Sequence, residues 1–357
     1  MGPLTRRSGG AAPVGGAAQD VGWFRIDEPA MAGMARRAAA EAGRQVGFTE
    51  ARLGQLSIAA AELASNLHKH ADDGTMLVRY LRRNGVGGVL LVAVDAGPGM
   101  VDAVGSWRDG YSTAGTLGIG LGAVERLATR CDGYSLPGRG SILAAEFWPG
   151  PNPPDDPDAA GVDGVDGIVR PITGEQVAGD GYAVRRTTAG PLLLLTDGLG
   201  HGLLAAAASV AAVEAFHAAP DESPAAVVEW LHRRMGHTRG AAVGVAAVDR
   251  AAETVRFAGL GNIAAQVVRS GERRLMVSLP GIAGHQRRVV REFRYDLPAD
   301  AAVVLHSDGL TDRWRLDDYP GLLNRTAIVV AATLLRDAGL RRDDAAVLVA
   351  TPPQVRP

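Results

Sequence analysis

One cysteine, Cys131, occurs among 357 residues, so no intrachain disulfide can form. That scarcity points to a reduced, cytoplasmic setting. Cys131 follows a helical pattern and reads as a small buried apolar residue rather than a nucleophile. Long apolar runs are missing as well. The most apolar stretches, such as 191–196 (PLLLLT), are strand-sized, so no membrane span is expected. Nor is there an excess of charge: Lys+Arg total 37 and Asp+Glu 39, for a formal net charge of -2. Broad binding to nucleic acid or anionic membranes is therefore not expected. Arg6 and Arg7 are followed by no sustained apolar run, and 9–18 are mostly Gly, Ala and Pro. Residues 1–20 read as a flexible tail, not a signal peptide. No internal repeat is visible, and the two halves do not resemble each other.

What is present is an ordinary globular composition, 46% apolar and 21% charged, at a length that suits two domains. The clearest break is 149–167, PGPNPPDDPDAAGVDGVDG, where Pro, Gly and Asp crowd without periodicity. The expected organisation is a first domain over 21–149, a linker over 150–170 and a second domain over 171–353. In the first, strands at 21–26, 75–82, 88–94 and 141–147 mix with helices at 31–46, 50–70 and 119–130. Thr49 is placed to cap the second helix. This α+β order suggests helices on one face of a mixed sheet. In the second, many short strands with helices near 203–218, 224–235 and 322–337 suggest a helix-flanked β-sandwich.

Three polar groups stand out in the first half. Glu62, Asn66 and His70 share one face of a helix at i, i+4, i+8. A Glu and an Asn on one stripe can serve as general base and magnesium ligand, although such a stripe alone is more commonly a wet helix face. Asp95-Ala96-Gly97-Pro98-Gly99 closes an apolar strand. Its carboxylate can accept from an exocyclic amine and its glycines admit a ligand, although a Gly-Pro turn looks the same. Asp109-Gly110-Tyr111-Ser112-Thr113 and then Gly118-Ile119-Gly120-Leu121-Gly122 lead into a helix, where free N–H groups and the helix dipole suit phosphates. This is neither the dinucleotide nor the Walker pattern.

Together, in this order and spacing, the three groups resemble the N, G1 and G2 boxes of the GHKL ATPase superfamily. Within it they are similar to the small serine kinases of anti-sigma-factor and stressosome switches, notably in the run DGYSTAGTLGIGLGAVERL. The resemblance spans roughly 21–148 and implies a GHKL (histidine-kinase-like ATPase) α/β sandwich that binds ATP with Mg2+. It implies Glu62 as catalytic base, Asn66 as magnesium ligand and Asp95 as adenine reader. Gly97, Gly99, Gly118, Gly120 and Gly122 would be nucleotide-contacting backbone. The family's last strand carries Gly-x-Gly-Thr; here Gly138-Arg139-Gly140-Ser141 stands there, and Ser141 keeps the hydroxyl.

The second half places aspartates beside glycines at the ends of strands: Asp180, Asp197, Asp308, and the pair Asp343 and Asp344. Each alone is an ordinary turn. Jointly they offer the clustered oxygens that hard divalent cations require, and two such ions can activate water against a phosphoryl group. No Cys or His cluster offers a zinc alternative. Over roughly 172–351 the set and order resemble the PPM phosphatases, in their sporulation stage II E branch, with Gly259-Leu260-Gly261-Asn262-Ile263 adding to the likeness. That implies a PPM-type α/β/β/α sandwich with two Mn2+ or Mg2+. Asp197, Asp308 and Asp343 would be metal ligands with the Gly198 carbonyl, and Asp180 a nearby carboxylate. Asp344 is the alternative to Asp343, which is preferred. His201 reads equally as a neighbour of the phosphate or as a structural residue beside a turn. Arg185 and Arg186 are candidates for holding phosphate, but read more simply as solvated strand residues.

The resemblances imply a bifunctional cytoplasmic enzyme that sets serine or threonine phosphorylation on a STAS-domain partner, with a sigma factor as a further candidate partner. The alternative expectation is a phosphatase whose first domain binds ATP, and a partner, without transferring phosphate.

Overall fold

Strand β3 (Val86–Val94, VGGVLLVAV) is apolar at nearly every position, the pattern of a strand covered on both faces. The computed structural model describes residues 19–100, 120–154, 164–287 and 289–353, and it covers this strand on both faces. β3 is central in a five-stranded sheet of order β1–β2–β3–β5–β4, with β1 (Gln19–Arg25), β2 (Thr75–Arg83), β4 (Arg130–Leu136) and β5 (Gly140–Phe147). Every pair in it is antiparallel, not mixed as the element order suggests. Local turns explain this. Asn84 and Gly85 both take positive φ (46° and 75°), the two-residue hairpin geometry that Asn-Gly favours.

Side chains alternate along the sheet. Met76, Val78, Val89, Leu91, Ala93, Leu143, Ala145 and Phe147 pack beneath α1 (Pro29–Gln45), α2 (Glu50–His70) and α3 (Gly120–Leu127). The Thr49 hydroxyl accepts the Arg52 N–H at 3.3 Å, capping α2 as expected. Leu77, Leu90, Val92, Val94, Ile142 and Ala144 point the other way, into a second core.

The second domain is two five-stranded antiparallel sheets. One runs β15–β10–β9–β8–β7: β7 (Asp180–Thr187), β8 (Gly190–Gly198), β9 (Ala241–Asp249), β10 (Thr254–Leu260) and β15 (Phe293–Asp296). The other runs β12–β11–β16–β17–β6: β6 (Val165–Arg170), β11 (Ala264–Arg269), β12 (Glu272–Met276), β16 (Ala302–His306) and β17 (Ala345–Ala350). A two-stranded ribbon, β13 (Gly281–Ile282) and β14 (Gln286–Arg287), is bridged to the start of β9 through Ala283 and Ala241. Leu193, Leu195, Phe257, Val303, Leu305 and Leu348 fill the space between the large sheets. α4 (Leu203–His217) and α5 (Pro224–Arg234) cover the outside of the first.

The expected linker, 150–170, is too long at its second end. Residues Val165–Arg170 are β6, paired antiparallel with β17, because Val165, Ile168 and Val169 supply apolar side chains amid the Asp and Gly that mark the break.

The last helix, α6 (Ala327–Ala338, AIVVAATLLRDA), has no polar face, and ten of its twelve residues are buried. A helix apolar all round needs cover on all sides. It lies between the β6–β17 sheet and the open face of the first domain's sheet, so one core contains Leu77, Val92 and Ile142 together with Val330, Leu334 and Val347. Polar ties reinforce the seam. Arg79 on β2, 1% exposed, holds Asp20 at 2.5 Å, the Gly167 carbonyl at 2.8 Å and Asp166 at 3.4 Å. Trp23 donates its indole N–H to the Val169 carbonyl at 2.8 Å, and Tyr134 its hydroxyl to the Pro320 carbonyl at 3.1 Å. Among the described residues no helix is long and apolar enough to cross a membrane.

Two candidate active sites

The first site is arranged along α2. Glu62 and Asn66 sit in mid-helix, partly exposed, on the same stripe. The first residue of α3, Gly120, comes directly against them: a Cβ there would stand 2.9 Å from Glu62 Oε2 and 3.5 Å from Asn66 Nδ2. Any side chain at 120 would therefore fill the gap between the helix start and the Glu–Asn pair. Gly122, two residues further along α3, is buried. Gly118 and 109–113 lie outside the described residues.

Asp95 lies where α2 ends. Its backbone N–H donates to the Ser141 carbonyl at 3.0 Å, and Ala96 N–H to the Asp72 carbonyl at 3.0 Å. One carboxylate oxygen, Oδ1, accepts the Gly97 N–H at 2.8 Å. Burial raises the Asp95 carboxyl above its ordinary pKa, against the Gly97 hydrogen bond and the charge of Arg336. Gly99 takes φ 67°, and a Cβ there would collide with the Leu136 carbonyl, so the loop tolerates only glycine. Ser141 meets Asp95 through its main chain. Its hydroxyl lies 3.0 Å from that of Ser135.

The second site occupies one end of the sandwich. β7 and β8 pair with Asp180 opposite Asp197. The Ser307 hydroxyl donates to Asp180 Oδ2 at 2.5 Å, bringing in the loop after β16. Asp308 follows, with Oδ2 accepting from the Asn262 amide at 2.6 Å. Gly198 N–H donates to the Gly179 carbonyl at 3.0 Å and fixes the turn after Asp197. Asp343 and Asp344 differ in their surroundings. Both oxygens of buried Asp344 accept backbone N–H groups, Ile172 on one and Gly179 on the other, each at 2.7 Å. Asp343 is partly exposed and accepts only the Asp344 N–H, at 2.9 Å.

The carboxylates feel one another. Burial first, then the charges of Asp308 and Asp343, push Asp197 up to about 7. Burial, then the charge of Asp197, holds Asp180 well above the ordinary carboxylate value. Asp343 is raised by burial, then by Asp308. An all-oxygen donor set under mutual repulsion fits divalent cations. Among the described residues, no three His, Cys, Asp or Glu side chains form a ready-made cluster for one ion.

Of the flanking residues, His201 is exposed and stands 3.4 Å from Glu175. Arg185 is not a solvated strand residue. Its guanidinium donates to the carbonyls of Phe216, Ala219 and Asp221, tying β7 to the end of α4. Exposed Arg239 reaches the Asp197 loop, its Nη1 3.5 Å from where a Gly200 Cβ would be. Ser307 and Asn262 carry no role in the sequence reading, although Ser307 directly precedes Asp308 and Asn262 belongs to the Gly-Leu-Gly-Asn run.

Residues 189–353 match the family model described as Stage II sporulation protein E, and residues 27–145 that of the histidine kinase-like ATPase domain. A serine/threonine-protein kinase, RsbT of Bacillus subtilis (strain 168), is 32% identical over 114 residues, covering 32% of this chain and 86% of the kinase. A chain from a structure described as the bacterial stressosome is 27% identical at a TM-score of 0.46, covering 52% of this chain and 97% of that one. RsbX in complex with magnesium is 18% identical at a TM-score of 0.45, covering 52% of this chain and 94% of the other.

Proposed function

We infer two opposed chemistries in one chain, which belongs to the histidine kinase-like ATPases through its first domain and to the stage II sporulation protein E phosphatases through its second. The chain is a metal-dependent protein serine/threonine phosphatase with a serine-kinase domain in front. The division between the two falls, in this reading, between Trp148 and Val165.

In the kinase half, Asp95 reads adenine. Gly97 orients the carboxylate through Oδ1, and the carboxylate would accept from the exocyclic amine. Phosphates would be met at the start of α3, where Gly120 and Gly122 lie in the first turn and its N–H groups are free. Asn66 is the side chain that would hold magnesium against them, and Glu62 accepts the proton of the attacking hydroxyl. Little covalent work is left to the protein. Catalysis is positioning and charge stabilisation.

In the phosphatase half, Asp197, Asp308 and Asp343 would hold the cations with the Gly198 carbonyl. Divalent cations there would neutralise the transferring phosphoryl group and acidify the attacking water. Asp344 braces the loop through two backbone amides, and Ser307 orients Asp180. Arg239 is placed to meet the substrate phosphate. The observation that carries this reading is the set of facing carboxylates, with Asp197 raised to about 7.

The substrate is a serine or threonine on a STAS-domain protein in a cytoplasmic partner-switching circuit that governs a sigma factor. The resemblance of both halves to enzymes of one such circuit supports this. The test incubates the chain with ATP, Mg2+, Mn2+ and a STAS-domain protein, comparing wild type with Asp308→Asn. Phosphate that accumulates only with the variant establishes both activities on one substrate. No phosphorylation with either favours the second reading, an ATP-dependent binding module on a phosphatase. The contact of Arg336 with Asp95 gives that reading its structural basis.

A further inference from the structure

Helix α6 belongs to the phosphatase domain, yet both its ends are held by the kinase domain. At its start, Asp132 of β4 accepts the Thr326 N–H at 2.7 Å and the Thr326 hydroxyl at 2.8 Å, a carboxylate at the positive end of a helix. In its last turn, Arg336 is 5% exposed. Its Nε and Nη2 hold the adjacent Asp337 carboxylate at 2.5 and 3.0 Å, and its Nη1 donates across the seam to the Asp95 carbonyl at 3.3 Å.

Asp95 is thus clamped from two directions. Its N–H is fixed to Ser141 within its own sheet, and its carbonyl is engaged from the other domain. Gly140 must be glycine here, because a Cβ would strike that same carbonyl. Arg341 adds a second bridge, to Asp73, whose neighbour Asp72 accepts the Ala96 N–H.

Followed the other way, α6 runs into the cation loops. Thr311 N–H donates to the Ala338 carbonyl at 2.9 Å, and Leu340 N–H to the Gly309 carbonyl at 2.7 Å, beside Asp308. Asp343 comes seven residues after Arg336, on the loop that α6 launches. The last turn of one buried helix therefore touches the adenine loop on one side and two carboxylate loops on the other.

We propose that Arg336 is a positioning residue of the nucleotide site, supplied by the phosphatase domain, and that through it nucleotide and divalent cations bind with linked affinities. This rests on Asp95 as the adenine reader and on Asp308 as part of the cation site. Gathering Asp308 and Asp343 around cations shifts the loops that hold the end of α6, and with it the donor on Asp95. Linkage is reciprocal, so nucleotide must bias cation binding by the same factor.

The test is a cycle of ADP affinities, measured by calorimetry on the full chain at fixed free Mn2+, for wild type, Arg336→Ala, Asp308→Asn and the double variant. Arg336→Ala should weaken ADP about tenfold, the scale of one charge-assisted hydrogen bond. Arg336→Lys, which keeps a donor and the charge, should recover most of that loss and guards against a mere packing defect in the alanine variant. Asp308→Asn should shift ADP affinity in the wild-type background and leave it unmoved in Arg336→Ala. Wild-type ADP affinity in Arg336→Ala, or an Asp308→Asn shift that persists there, overturns the proposal. Two other results overturn the underlying readings and the proposal with them: no ADP binding by wild type removes the nucleotide site, and unchanged Mn2+ binding by Asp308→Asn removes the cation site.

Discussion

The Asn262 amide donates to a carboxylate oxygen of Asp308 across 2.6 Å, joining the loop after β10 to the loop after β16. Both residues are exposed, so the bond lies at the mouth of the site and is not part of the core. Asp308→Asn is expected to lower manganese-dependent hydrolysis of p-nitrophenyl phosphate by at least ~100-fold, with the urea midpoint unchanged. Asn262→Ala, which only frees the carboxylate, is expected to cost about tenfold. Full activity in the Asp308 variant means that these carboxylates are not the hydrolytic centre.

Glu62 and Asn66 share a helix face but differ in task. Glu62→Gln is expected to cut phosphoryl transfer to a STAS-domain protein by about 10²–10⁴-fold while ADP still binds. Asn66→Ala is expected to weaken ADP binding in Mg2+ more than in its absence. Transfer that survives Glu62→Gln assigns the proton to another group.

Much of this arrangement is legible before any coordinates. Asp180, Asp197 and Asp308 each open or close an apolar strand, and strands of one sandwich share an end. Other features are not local. The run VLLVAV in β3 shows that both faces are covered, but the cover on one face, α6, comes more than two hundred residues later, and periodicity names no partner. Residues Val165–Arg170 look like linker because Gly and Asp dilute their valines, and only pairing with β17 makes them a strand. Asp343 and Asp344 are equivalent by type. Only the amides of Ile172 and Gly179, distant in sequence, distinguish them.

The raised Asp197 carboxyl makes a pH prediction. Its folded-state pKa of about 7 lies above the ordinary carboxylate value, so the protonated form favours the folded chain. Without cations, that stabilisation is full below about pH 4 and is lost as pH rises through about 7. Urea unfolding in EDTA should show a less stable chain at about pH 8 than at about pH 5. Cations must displace the same proton, so Mn2+ affinity should rise with pH and level off above about 7. An affinity flat across that window removes Asp197 from the cation site.

Arg79 is buried at the seam against Asp20 and Asp166, carboxylates from both domains. Arg79→Ala leaves them facing one another and is expected to cost about 3–5 kcal/mol. Denaturant unfolding followed by tryptophan fluorescence measures this. A loss below about 1 kcal/mol would place the pair among weak surface contacts.

Burial pushes the Cys131 thiol up to about 12, with Glu125 and Asp132 adding to the shift from 9.0. Roughly a thousandfold less thiolate is then present than on an ordinary thiol, so iodoacetamide should label the native chain very slowly and the urea-unfolded chain rapidly. Fast labelling of the native chain would show the thiol open to solvent.

A helix buried on both sides completes the cores of both domains, and this bears on how variants of the chain are read. A destabilising change in the core shared by Leu77, Val330 and Val347 lowers the amount of properly folded kinase and phosphatase together. Genetic lesions should therefore fall into two classes. Those that depress both activities in step mark the common core, and those that remove one activity alone mark a site. Selection on either activity also constrains the other, because neither half can drift at that surface without its neighbour.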